Sequence, residues 1–236
     1  MDQIRISAKN LGALALSGFC PRCFWLKMHC RELPYQIFPG IFSSIDSYTK
    51  KVTNTHYEKT TRIPSWLEPL GDIVKPVKAP GHSTFYIVDP ETNIKLTGVP
   101  DEVFQKKDES YFIADYKTAK YTGNQDKLLP MYETQLNGYA FIGERTGLHP
   151  VTGLALVYYE PQTDLQVDRL NSVLLSDGFM LPFVGKLLPI EVRPDATIPL
   201  LLKKVRRICD LERAPQGATG CEDCEKVNKL IELASG

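Results

Sequence analysis

The stretch TGVPDEVFQKKDESYFIADYKTAK, residues 97–120, holds two strand-forming runs around the charged turn QKKDE (105–109). Side chains along a strand alternate between faces. Asp115 and Lys117 therefore share one side, while Phe112, Ala114 and Tyr116 point the other way, toward a core. Asp101 is read as the end of the preceding run, 93–104. Pairing that run with 110–117 as a hairpin brings both carboxylates and the lysine together at one end of a sheet. An ordinary hairpin would place apolar groups there.

Working outward, a third strand-like run (83–88) precedes the turn DPETN (89–93), and a helix is expected over 128–145 with Pro130 near its start. LALVYYE (154–160) reads as a buried strand, and KLLPIEV (186–192) as another, which Pro189 confines to an edge. A long helix follows at 196–213. Upstream, residues 22–30 suit a helix with Pro21 in its first turn, and 43–60 a polar helix capped by Ser43 or Ser44. A connection rich in proline (Pro64, Pro69, Pro76, Pro80) leads into the strands. This order of elements predicts an α/β fold with a central mixed β-sheet flanked by helices. Its length, 236 residues, suits one domain spanning 1–236.

Charge excludes one class of binding protein. Lys+Arg and Asp+Glu number 28 each, so the formal net charge is zero. A strongly basic nucleic-acid binder is ruled out, and polyanion binding has to come from a local patch or from bound metal. KKVRR (203–207) is read as a solvated helix face, Phe24 and Trp25 as core, and Lys117, Lys120 and Lys127 as groups able to meet phosphates. No apolar run reaches the ~18 residues of a membrane helix. The segment MDQIRISAKNLGALALSGFCP is short and broken by Ser and Gly, unlike a signal peptide, so a cytoplasmic location is expected.

Two carboxylates beside a backbone carbonyl are hard oxygen donors, suited to Mg²⁺ or Mn²⁺. A neighbouring lysine would orient water or stabilise charge on a phosphate. Asp-x-Lys alone is common, and a solvated hairpin face with one ion pair is the plainer alternative. The six cysteines cluster toward the ends: Cys20, Cys23 and Cys30, then Cys209, Cys221 and Cys224. Paired Cys-x-x-Cys segments in a reducing compartment suggest metal. Four thiolates suit a [4Fe–4S] cluster or Zn²⁺, and the spacing does not separate them. Free, partly buried thiols are the alternative.

Taken in order, Gly98-x-x-Asp101, Asp115-Tyr116-Lys117 and Gln135-x-x-x-Tyr139 resemble the active-site series of the PD-(D/E)XK nuclease superfamily, most closely its RecB-like branch. The resemblance implies a restriction-endonuclease-like core. It implies that Asp101, Asp115 and the Tyr116 carbonyl hold Mg²⁺ or Mn²⁺, that Lys117 assists hydrolysis, and that Gln135 and Tyr139 help place DNA or the catalytic centre. Gln135 and Tyr139 are four residues apart, on one helix face. RecB-like relatives often add a histidine ligand from the upstream helix. His56 is the candidate, outside the expected Gly-x-x-x-His context, and Asp46 competes with it. His29, His82 and His149 have no motif context.

SGFCPRCFWLK resembles the start of RecB-like nucleases that carry an iron–sulfur cluster. There, one cysteine before Pro-Arg joins three near the C-terminus, which matches Cys20, Cys221 and Cys224. The usual last cysteine is missing from EKVNKLIELASG. Cys23 would complete two pairs, Cys209 would restore the one-plus-three pattern, and Cys30 is a weaker option. The cysteine-rich ends, 20–30 and 209–224, are thus expected to form a structural metal staple joining the termini. The implied function is divalent-metal-dependent hydrolysis of DNA phosphodiester bonds, exonuclease-like on single strands or ends. A place in DNA repair or phage recombination follows, with a helicase or recombination protein as partner, since the chain has no P-loop of its own. The rival expectation is a non-catalytic DNA-binding or assembly subunit that keeps the fold.

Overall fold

Two neighbouring strands with unbroken buried runs, Phe112–Tyr116 and Leu154–Tyr159, sit at the centre of the molecule. The computed structural model of the protein describes residues 2–30, 39–123 and 126–235. Strands buried on both faces lose the apolar–polar alternation of a half-solvated sheet, and both runs need cover on two sides. They belong to β6 (Tyr111–Lys117) and β7 (Val151–Pro161), which pair in parallel, with the crossover made by helix α4 (Leu129–Thr146).

Around this pair the sheet has the order β10-β7-β6-β5-β2, with β2 at Ile73–Val77, β5 at Glu102–Lys106 and β10 at Phe183–Ile190. The other pairings are antiparallel, so the sheet is mixed. β10 is an edge strand, as Pro189 requires. A second sheet has the order β1-β4-β3, where β1 is Ile4–Ser7, β3 Tyr86–Asp89 and β4 Ile94–Thr97. A two-residue ladder joins β8 (Leu174–Leu175) to β9 (Gly178–Phe179).

One face of the large sheet, through Ile113, Leu154 and Leu156, packs with Leu136, Ala140 and Ile142 of α4 and with helices α1 (Ala8–Gly12) and α6 (Pro194–Cys209). The other face holds Phe104, Phe112, Ala114, Tyr116, Val157 and Tyr159 under Leu67 and Leu70 of a 3-10 segment. Helix α3 (Gly40–Thr60) lies on this second face, where Thr53 Oγ1 and Tyr159 OH share a hydrogen bond of 3.2 Å. Helix α2 (Pro21–His29) and helix α7 (Glu222–Ser235) meet at the cysteine-bearing ends, and a short helix α5 (Val167–Leu170) precedes β8.

Four expectations need correction. The run 93–104 is not one strand: Gly98–Asp101 divides it into β4 and β5, which lie in different sheets. Pro100 has no N–H for a ladder, and Gly98 lies against an aromatic ring, so pairing stops between them. Asp101 consequently precedes β5 rather than ending a strand, and the hairpin is β5–β6 alone, with Glu102 opposite Ala114. Second, α3 begins at Gly40 behind Pro39, so Ser43 and Ser44 lie inside the helix. Third, α6 spans Pro194–Cys209 instead of 196–213. Fourth, Arg206 of KKVRR is no solvated residue: only 8 % exposed, it donates to the carbonyls of Asp2, Thr92 and Asn93. Strands β1 and β2 are additions, one hidden in the N-terminal segment and one in the proline-rich connection.

Candidate catalytic centre and cysteine cluster

The hairpin parity and the α4 crossover together assemble one polar centre at the C-terminal end of β6. Asp115 is 2 % exposed, and Lys117, two residues on and on the same face, forms an ion pair with its Oδ2. Gln135 reaches down from α4 and donates through Nε2 to Asp115 Oδ1 at 3.0 Å and to Tyr139 OH at 2.7 Å. Asp101 lies one peptide unit away, because its Oδ2 accepts the Tyr116 N–H at 2.8 Å. The Lys117 ammonium also sits 4.3 Å from the centre of the Tyr132 ring.

The structure therefore brings together Asp101, Asp115, Tyr116, Lys117, Gln135 and Tyr139. Asp46 lies at the edge of the same centre through Lys50, whose Nζ is 2.9 Å from Asp46 Oδ2 and 2.7 Å from Asp101 Oδ1. His56 is ten residues further along α3, about 15 Å at the helical rise. Its ring forms no hydrogen bond or ion pair among the described residues; only its carbonyl is used, by Thr60. Lys120 and Lys127 are exposed.

Sequence reasoning missed Lys50, Glu102 and Tyr132. Asp46 and Lys50 form a legible i, i+4 pair, but the reach of Lys50 to Asp101 depends on how α3 packs. Glu102 shares the Tyr116 face and is 5 % exposed, with Tyr116 OH donating to its Oε2 at 3.3 Å.

Burial dominates the electrostatics. It pushes the Asp115 carboxyl up to about 6, with the Lys117 ammonium opposing and the Asp101 charge adding to the rise. Burial likewise lifts Glu102 to about 7, partly offset by its bond from Tyr116. For Lys50, burial works against the charge, but the carboxylates of Asp101 and Asp46 outweigh it and raise the pKa. Tyr139 is held neutral by burial and by the nearby Asp115 charge.

Asp115 Oδ2 is met by the Lys117 ammonium, while Gln135 Oε1 is buried with no hydrogen-bond partner among the described residues. Buried oxygens are rarely left so. Asp101, Asp115 and Gln135 offer oxygen donors of the kind a hard divalent cation takes. The residues present fit such a metal.

At the other end of the fold, Cys20, Cys23, Cys221 and Cys224 place their sulfurs within 4.8 Å of one another. Sγ–Sγ distances are 3.5 Å for Cys20–Cys224, 3.5 Å for Cys23–Cys224 and 3.7 Å for Cys23–Cys221. Cys20 caps α2 with Pro21 following, Cys23 is one turn on, and Cys221 and Cys224 bracket the first turn of α7. Burial opposes ionisation of Cys20, but the backbone N–H groups of Cys23 and Ala218 outweigh it and bring the thiol to about 6. Burial raises Cys23 and Cys224. Cys209, the last residue of α6, and the exposed Cys30 lie outside this group. Trp25 braces the junction, donating from Nε1 to Leu211 O at 3.0 Å.

The family model of the PD-(D/E)XK nuclease superfamily matches residues 42–227, and the chain belongs to that superfamily. The match spans the catalytic series and the second cysteine pair. No curated protein sequence matches the chain. Among solved structures, the alkaline exonuclease LHK-Exo of Laribacter hongkongensis aligns at 12% identity and TM-score 0.39, covering 98% of this chain and 93% of that one. The same enzyme in complex with dAMP gives 12% and 0.41, with the same coverage. The crystal structure of SSO0001 gives 12% and 0.40, covering 91% and 80%. Among the described residues no helix is long and apolar enough to cross a membrane.

Proposed function

We propose that this chain is a divalent-metal-dependent DNA nuclease that hydrolyses phosphodiester bonds in single strands or at DNA ends. The observation that carries the reading is the setting of Asp115, buried beside Asp101, paired with Lys117 and fixed by Gln135. Asp101 Oδ1, the Asp115 carboxylate and the Tyr116 carbonyl would hold Mg²⁺ or Mn²⁺, the Lys117 ammonium turning from Asp115 Oδ2 to the attacking water, with Asp46 or His56 as the further ligand. Asp46 has the better support, since it already shares a counter-ion with Asp101. The cation supplies Lewis acidity at a phosphoryl oxygen and eases deprotonation of water. Lys117 orients the attacking water or meets the charge that develops on the phosphate. Gln135 keeps Asp115 in one orientation, and Tyr139 keeps Gln135 in place.

Purified protein with Mn²⁺ should degrade linear DNA, and Lys117→Ala should abolish this without unfolding the chain. Equal activity in that variant would sink the catalytic assignment. Sparing of circular single-stranded DNA would mark an exonuclease. A wild type that binds DNA yet never cuts it would favour the assembly-subunit reading. Linear RNA in the same assay tests the choice of DNA.

The cysteine cluster is read as a structural site for a [4Fe–4S] cluster, alternatively for one Zn²⁺ ion, since four thiolates suit either. Resemblance to RecB-like nucleases that carry such a cluster favours iron–sulfur. Anaerobically purified protein should be brown and carry iron. A colourless protein with one zinc per chain would decide for zinc instead.

A further inference from the structure

The candidate metal oxygen of Asp101 already has a cation on it. Asp101 has two carboxylate oxygens, and Oδ2 is committed to the Tyr116 N–H at 2.8 Å. Oδ1 is the oxygen left for a divalent ion, and Lys50 Nζ lies 2.7 Å from it. This is no surface pair free to drift. Side-chain exposure is 19% for Asp101 and 31% for Lys50, and α3 is pinned to the sheet through Thr53 and Tyr159. An ammonium and a divalent cation cannot share one oxygen at contact distance without strong repulsion.

We propose that Lys50 is the internal counter-ion that a divalent cation displaces from Asp101, and that the freed ammonium then pairs with a phosphate of the substrate. The proposal rests on the catalytic reading given above. Lysine suits the task, being a compact charge on a long flexible stem. Asp46, 45% exposed, keeps the displaced group at the mouth of the centre through Oδ2, 2.9 Å from the same Nζ, and leaves its Oδ1 for the cation. Metal loading thereby places a positive charge where the substrate phosphate arrives, and in metal-free protein Lys50 neutralises a carboxylate that would otherwise stand unpaired.

Mn²⁺ affinity, measured calorimetrically without nucleic acid, tests the first half. Lys50→Met should bind Mn²⁺ about tenfold tighter than wild type, a competitor having been removed. Lys51→Met takes the same charge from an exposed neighbour on the same helix and should change affinity less than about twofold through screened charge. Lys50→Gln serves equally should the Met variant fail to fold. The second half is read from a single-stranded oligonucleotide bound in Ca²⁺. Lys50→Met should weaken binding and lower the salt slope by about one, and Lys50→Arg should restore both. Mn²⁺ affinity equal to or below that of wild type in both Lys50 variants, or an unchanged salt slope, overturns the proposal. Failure of the catalytic reading looks different: Asp101→Asn would then leave Mn²⁺ binding unaltered.

Discussion

The Tyr139 ring lies so close to the backbone of Gly98 that a Cβ on Gly98 would fall 2.5 Å from Cε1 of the ring. The corner before Asp101 is thus moulded on the helix that carries Gln135. Gly98→Ala has to move that ring or the corner, and with it the donor to Asp115. A stability loss of about 1–3 kcal/mol is expected from such overpacking, together with reduced Mn²⁺-dependent cleavage. Urea denaturation measures the first, and an unchanged midpoint would contradict the close contact.

Gln135→Ala leaves Asp115 buried without its neutral donor. The expected cost is about 1–3 kcal/mol in stability, with cleavage falling about 10- to 100-fold, as for groups that orient metal ligands. Gln135→Glu sets a second carboxylate beside Asp115. That variant should melt below wild type in chelator and recover most of the difference when Mg²⁺ is added. No recovery would mean that the two side chains do not face a common cation site.

Glu102 makes stability depend on pH. Its carboxyl titrates near 7 in the fold against an ordinary value of 4.5. Between those values the folded chain holds more protons than the unfolded one, so this group's contribution falls as pH rises and is lost above 7. Glu102→Gln should therefore be more stable than wild type at pH 8 by about 1–3 kcal/mol, and the gap should close below pH 4.5. Thermal melts in chelator across this range decide it, and a gap independent of pH would refute the account.

Removal of the cluster metal should loosen both ends of the chain. Cys224→Ser should lose the bound metal and several degrees of Tm, because ligation is coupled to folding. Cys209→Ser and Cys30→Ser should keep a full complement, since neither sulfur belongs to the group of four. Elemental analysis of the three variants suffices, and retained metal in Cys224→Ser would remove that residue from the ligand set.

Much of this centre was legible because its residues obey local periodicities. Pleat parity paired Asp115 with Lys117, and the i, i+4 rule paired Gln135 with Tyr139. The two Cys-x-x-Cys spacings read as two pairs and kept Cys23 beside Cys209 as a fourth sulfur, and the structure groups Cys23 with the other three. The continuous run 154–160 announced a strand covered on both faces. Residues governed by distant packing escaped. Run 93–104 looks like one strand because β4 and β5 are both apolar, and only the Tyr139 contact on Gly98 shows why the chain leaves one sheet for another. Lys50 appears in the sequence as half of a helical ion pair, and its bond to Asp101 depends on α3 docking through Thr53. Arg206 looks like part of a solvated basic run, yet it closes three carbonyls, those of Asp2 just before β1 and of Thr92 and Asn93 in the β3–β4 turn. β1 was hidden because four residues carry too little pattern to be read without their partner β4.

The cysteine cluster also alters the state from which the protein folds. Cys23 and Cys221 are 198 positions apart, so with the sulfurs joined nearly all of both sheets lies within one ring. Denaturant then has to expand a loop instead of an open chain, and closing a loop of this length removes about 5 kcal/mol of chain entropy from the unfolded ensemble. The centre formed by Asp101, Asp115 and Lys117 lies apart from those sulfurs, yet its persistence is tied to them by the length of chain they enclose.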